Sequence, residues 1–261
     1  MFSAFRRWQR QQTASSYEVD DACWLAVEQR LPFLAFVDDG DRARLRALAL
    51  EFLADKEIAG AHGLEVTNEI RLTIALQACL PILKIGLEAY DDWVGIVVYP
   101  GDFVIPRNVT DDAGVVHEYD DPVLGEAWQG GPVLLSWFDE SEQSDGVNVV
   151  IHEFAHKLDM RSGEPDGMPA LPPAIDRRKW ARDFSDAYAD FCLRVDEGED
   201  VALDPYGAEH PAEFFAVMSE AFFETPLLLK EEYPAVYDQL AAYYQLDPAL
   251  GELRLNEAGH A

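Results

Sequence analysis

At 261 residues, half of them hydrophobic and 11% aromatic, the chain can bury a full core and is globular rather than disordered. Its 49 acidic residues stand against 20 basic ones, a formal charge of −29, and a surface this negative repels phosphate backbones and anionic lipid. Direct nucleic-acid or membrane binding is therefore not expected, whereas basic partners and divalent cations are; an acidic bias serving solubility alone explains the same charge. Cys23, Cys79 and Cys192 are scattered and form no CxxC, which points to free thiols in a reducing cytoplasm. No run approaches the ~18 apolar residues of a membrane-spanning helix.

The first ten residues are basic and aromatic, with no apolar segment behind them of the kind a signal peptide needs. Phe2, Phe5 and Trp8 among Arg6, Arg7 and Arg10 read as a short docking segment or a frayed terminus, and residues 1–20 are expected to be flexible. Residues 18–37 and 40–56 have the apolar spacing of two amphipathic helices, with Leu45, Leu48, Phe52 and Leu53 on one stripe. A third helix is expected to start at a Thr67 cap and run through Ile70, Ile74 and Leu80 until Pro81 ends it. Residues 21–90 thus read as a helical layer.

The pattern then changes to strands. Trp93–Tyr99 is one, stopped by Pro100-Gly101, with a short return strand at Phe103–Ile105 and another at Val115–His117. Pro132–Trp137 is a further strand; at a sheet edge it would accept an extended peptide, and inside the sheet it would be an ordinary buried strand. The sequence leaves both open.

Next comes His152-Glu153-Phe154-Ala155-His156, an HExxH motif. On a helix, positions i and i+4 share a face, so two imidazoles reach one ion while the neighbouring Glu153 can take a proton from water. The apolar run before it is expected to be helical from a cap near Ser144 or Asp145. A Gly/Pro-rich loop, Ser162 to Pro173, leads to a helix bearing Trp180, Phe184, Tyr188 and Phe191 on one face. A second loop, Glu197 to His210, leads to a helix over Pro211–Phe223, and a last helical segment ends near Gln245. Residues 91–245 are thus sheet and catalytic helices, and the economical reading is one α+β domain spanning residues 1–261, mainly helical with a small mixed sheet.

Zinc needs a third protein ligand. The pattern HExxHxxGxxH is excluded, because Asp159 and Ser162 stand where Gly and His would be. Glu213 is the best candidate: it lies among apolar and aromatic residues, where a carboxylate is costly to bury unless it is paired or metal-bound. A solvent-facing glutamate on an amphipathic helix is the alternative. Glu220, two turns on, is placed to orient a ligand. His210 touches substrate or metal, or is a solvated loop histidine; Asp159 holds an imidazole, or ends the helix.

The stretches His152–Asp159 and Ala212–Glu220, with the strand Gly131–Trp137, resemble the Mlc titration factor A family of bacterial zinc metallopeptidases. The resemblance runs from about residue 20 to 245. A more distant one is to the catalytic domain of anthrax lethal factor, whose HEFxH helix and Tyr-Gly-x-x-x-x-Ala-Glu-Phe-Phe-Ala stretch match His152–His156 and Tyr206–Ala216. These resemblances imply a zincin-like fold with an HExxH active-site helix, zinc held by His152, His156 and Glu213, Glu153 as general base and Tyr206 as oxyanion donor. Tyr206 as a plain loop tyrosine stays open. One departure is Val217, where the lethal-factor pattern has a second glutamate. The implied activity is aminopeptidase-like hydrolysis of peptides, together with binding of a sugar-responsive DNA-binding repressor. The alternative is mainly a regulatory binding factor with secondary peptidase activity.

Overall fold

In the computed structural model the described residues are 10, 12–14, 19–110, 116–138 and 147–259. The docking segment read at Phe2, Phe5 and Trp8 lies outside them, as do Ser144 and Asp145. Helix α1, Asp21–Gln29, starts at Asp20, whose carboxylate accepts the Cys23 N–H. The single helix expected over 18–37 is broken: α1 closes at Arg30, and a separate 3₁₀ turn runs over Pro32–Phe36. Pro32 has no N–H to continue the helical ladder. Helix α2, Asp39–Asp55, is capped by Asp38 and buries Leu45, Ala49 and Phe52. Helix α3, Asn68–Cys79, begins at Thr67 as the spacing predicts, with the Thr67 hydroxyl accepting the Ile70 N–H, and it closes at Leu80, before Pro81.

Strands β1 (Glu57–Gly60), β2 (Gly95–Pro100), β5 (Gly125–Ala127) and β6 (Val133–Trp137) form one sheet in the order β1-β2-β6-β5. The first two pairings are parallel and β5 is antiparallel to β6. β1 falls inside the stretch expected to be wholly helical, so residues 21–90 also supply a strand. β3 (Phe103–Thr110) does not return along β2; it pairs with β4 (Val116–Val123) in a separate antiparallel ribbon. Both sides of β2 are already taken by β1 and β6. β6 lies inside the sheet with Val133 to Ser136 buried, so the free edge beside it belongs to β5.

Helix α4, Val149–Asp159, starts later than expected, capped by the Asn148 side chain, which accepts the Ile151 N–H. Its inner face is anchored by Phe154, whose ring meets those of Phe52, Tyr90 and Trp93 at centroid distances of 5.7, 5.2 and 5.5 Å. Helix α5, Arg177–Asp196, buries Trp180, Phe184, Ala187 and Phe191. Helices α6 (Pro211–Glu224), α7 (Pro226–Glu232), α8 (Pro234–Tyr244) and α9 (Pro248–Gly259) each open on proline, whose fixed φ and missing N–H suit the first helical position. The chain does not stop being helical near Gln245: that residue takes a left-handed φ of 56°, ends α8 and lets α9 begin. The result is a mostly helical α+β architecture around a small mixed sheet. Among the described residues no helix is long and apolar enough to cross a membrane.

Candidate metal centre

Two helices build the centre. α4 turns His152 and His156 out of the aromatic core, while Ile151, Phe154, Ala155 and Leu158 hold its other side fully buried. α6 lies beside it, with Phe214, Phe215 and Phe222 packed against rings of α5 and α8 and with Glu213 and Glu220 facing α4. Glu213 Oε2 lies 3.0 Å from His152 Nε2 and 3.2 Å from His156 Nε2, and the two nitrogens are 3.1 Å apart.

The chemistry of these donors can be read from their partners. Glu220 Oε1 lies 2.7 Å from His152 Nδ1, and a hydrogen shared between these two atoms frees Nε2 to face a metal. Glu220 is itself held by the Asn148 backbone N–H at 2.5 Å. Glu213 is driven towards its buried, protonated form by desolvation, yet hydrogen bonds from His152 and His156 outweigh this and hold it well below the usual carboxylate range. Three potential metal-ligand atoms thus converge on one point, an arrangement that can hold a cation between them. In tetrahedral zinc sites, ligand atoms at ~2.0–2.1 Å from the ion stand about 3.3 Å apart, close to the 3.0–3.2 Å spacings here. Burial works against charge on His152, but Glu220 and Glu213 overcome it and raise its pKa well above the ordinary value, as a site built to hold positive charge would. The residues present fit a divalent metal.

Around this cluster opens a cleft of about 660 Å³, lined on one side by Leu124 to Ala127 and on the other by Tyr206, Glu209 and His210. Glu153 lines it too; desolvation pushes its carboxyl up to about 7, partly offset by the two imidazoles, and its Oε2 has no hydrogen-bond partner. Tyr206 sits in the 3₁₀ turn Pro205–Ala208, 44% exposed, its ring centroid 6.0 Å from that of His152. The structure therefore brings His152, Glu153, His156, Tyr206 and Glu213 to one cleft. His210 also lines it, with its Nδ1 accepting the Ala212 N–H as the cap of α6. Asp159 turns away from the role of imidazole partner: its Oδ2 accepts the Gly167 N–H at 2.7 Å, and His156 Nδ1 has no partner among the described residues.

Three neighbours of the centre escaped the sequence reading. Asn148 caps α4, bonds Gln77 and Glu224 through its amide and supports Glu220 through its backbone. Lys157 reaches the turn after β5, donating to the Trp128 and Gly131 carbonyls at 2.6 and 2.8 Å, and burial lowers its pKa to about 8. Gly125 lies directly against Glu153. A capping asparagine was detectable as a helix-start signal; the other two contacts join distant segments and leave no local mark.

A family profile described as glucose-regulated metallo-peptidase M90 matches residues 5–245. The chain is 39% identical over 224 residues to Mlc titration factor A of Salmonella arizonae, covering 84% of this chain and 89% of that one. It is 38% identical over 222 residues to Mlc titration factor A of Klebsiella pneumoniae, covering 84% of each. A metallopeptidase family implies a bound metal, and His152, His156 and Glu213 are the candidate set among the described residues. The chain belongs to the glucose-regulated metallo-peptidase M90 family.

Proposed function

We propose that the chain is a zinc-dependent, aminopeptidase-like hydrolase in which His152, His156 and Glu213 hold the ion, Glu153 is the general base and Tyr206 donates to the oxyanion. The observation that carries this reading is the convergence of His152, His156 and Glu213 from two helices, with a buried carboxylate beside them in an open cleft. Zinc, when bound, acts as a Lewis acid that polarises a carbonyl and acidifies water. Glu153, held near neutral pH by its burial, can both accept the proton of an attacking water and pass it to the leaving amine. The exposed Tyr206 hydroxyl can donate to the oxygen on which charge develops.

A peptide substrate would lie along β5. Ser136 N–H donates to the Leu124 carbonyl and Trp128 N–H to the Pro132 carbonyl, so alternation leaves the backbone groups of Gly125 and Ala127 pointing away from β6. An extended chain can pair there as an added strand. The peptide-docking role considered for β6 thus passes to its neighbour. We take the described elements as one zincin-like domain, and the free thiols Cys23, Cys79 and Cys192 support a reducing, cytoplasmic setting.

Metal content of protein purified without an affinity metal tests the site. About one zinc per chain in wild type and little in Glu213→Ala is expected. Glu153→Gln should keep the metal and lose hydrolysis by a factor of about 10²–10⁴. Full metal in Glu213→Ala, or activity in Glu153→Gln, would overturn the assignment. The name of the relatives, a titration factor for Mlc, favours a second role in binding the implied repressor. In that role, capture of such a protein by Glu153→Gln would match wild type.

A further inference from the structure

The edge strand of the cleft touches the base at one point. Gly125 lies on β5 with its α-carbon turned to α4, and a methyl group built there would fall 2.5 Å from Glu153 Oε1, 2.7 Å from Glu153 Cγ and 2.7 Å from Val149 Cγ2. Ordinary contact between carbon atoms is about 3.5–4.0 Å, so a side chain at 125 would force a displacement of about 1 Å. Three residues resist that displacement unequally. Val149 is fixed in the first turn of α4, and β5 is tied down by its pairing with β6 and by the Lys157 bonds to the turn behind it. The Glu153 carboxylate, whose Oε2 has no hydrogen-bond partner among the described residues, is the least tethered of the three and is the group that yields.

We propose that Gly125 is a positioning residue for the reaction: its bare α-carbon lets the strand that would carry the substrate rest directly on Glu153, fixing the base carboxylate relative to the peptide backbone. The same residue turns its backbone groups away from β6, on the edge where the substrate would pair, and presses Glu153 on its face, so one atom of side chain alters the distance between them. Positional freedom of the backbone is not the reason for glycine here, since Gly125 has no positive φ; the close approach is. A misplacement of this size at a reacting group costs on the order of 10²-fold in rate.

The inference rests on Glu153 acting as the base, and the test separates the two. With metal-loaded full-length protein and a panel of unblocked aminoacyl anilides, Gly125→Ala is expected to lower kcat at least about tenfold. KM should stay within about threefold and metal content at the wild-type level. Thermal stability supplies an arm independent of activity: the methyl should destabilise the Glu153 protein more than it destabilises Glu153→Ala, where only the Val149 contact remains, giving a non-additive double-mutant cycle. If Gly125→Ala folds poorly, recovery by Glu153→Ala supports the contact. Activity of Gly125→Ala within twofold of wild type, or equal loss of stability in both backgrounds, overturns the inference. Hydrolysis surviving in Glu153→Gln would instead remove the underlying reading of the base.

Discussion

His152 is gripped at both ring nitrogens from a single helix, by Glu213 at Nε2 and Glu220 at Nδ1. The seven-residue spacing of the two glutamates puts both on the same face of α6, and in the proposed site Glu213 would face the ion while Glu220 would orient the imidazole from behind. Glu220→Ala should therefore weaken metal binding about 10–100-fold while Glu213 stays intact, measured by competition with a chelator. Unchanged affinity would mean that packing alone orients the ring. Asp159 makes a different demand. Burial raises its pKa from 3.8 to about 6, with the Gly167 N–H only partly compensating. A raised acid means that the folded state holds the proton more tightly than the unfolded one. Its contribution to stability is therefore best below the unfolded pKa, is lost as pH rises from about 4 to about 6, and is constant above. Asp159→Asn, which keeps an acceptor for Gly167 without the charge, should stabilise metal-free protein at pH 7–8 by roughly 2 kcal/mol. The gain should shrink towards pH 4.5. Equal gains at both pH values would place the effect outside this carboxyl.

At the scale of elements, α4 depends on where it begins. The Asn148 side chain accepts the Ile151 N–H and donates to Gln77 and Glu224, tying the first turn of α4 to α3 and α6. Asn148→Ala removes the cap and strands those acceptors, with an expected cost of about 2–3 kcal/mol in urea unfolding. Asn148→Asp separates the two contributions, because it keeps the capping acceptor but loses both donors and adds charge beside Glu224. A neutral result there would mean that capping alone matters. The same element shows what a sequence can and cannot carry. The HExxH spacing of α4 and the Thr67 start of α3 are local signals, and Glu213 stands out as a carboxylate among the apolar residues of α6, so all could be singled out as candidates from the sequence. The start of α4 was misplaced because Gly146-Val147 looks as apolar as the helix itself. β1 and β5 have four and three residues, and β5 reads Gly-Glu-Ala, without the β-branched run that marks a strand. Pairing is non-local as well: nothing in Phe103–Ile105 says that β2 is already flanked on both sides. The edge strand of the cleft was thus the part of the site hidden from the sequence.

At the scale of the molecule, the charge of −29 sets long-range repulsion against a few local attractions. The attractions are ion pairs such as Arg46 with Glu28 at 2.6 Å and Arg10 with Asp55 at 2.5 Å, in which Glu28 and Arg10 are nearly buried. Salt acts unequally on the two. Raising ionic strength from 0.01 M to 0.15 M shortens the screening length from about 30 Å to about 8 Å, which removes most repulsion between separate surface carboxylates. Contacts below 3 Å with a buried partner lie well inside that length and lose much less. The folded state, which crowds the charges together, gains more from screening than the unfolded chain does. The melting temperature should therefore rise by several degrees over this range of sodium chloride, followed by circular dichroism at pH 7.5 with the metal content held constant. Glu28→Gln tests the local side of the balance: breaking a nearly buried pair should cost about 3 kcal/mol. That loss should be similar at low and high salt. A melting temperature that falls with salt would show that the ion pairs, and not the overall repulsion, govern how this acidic chain responds to its medium.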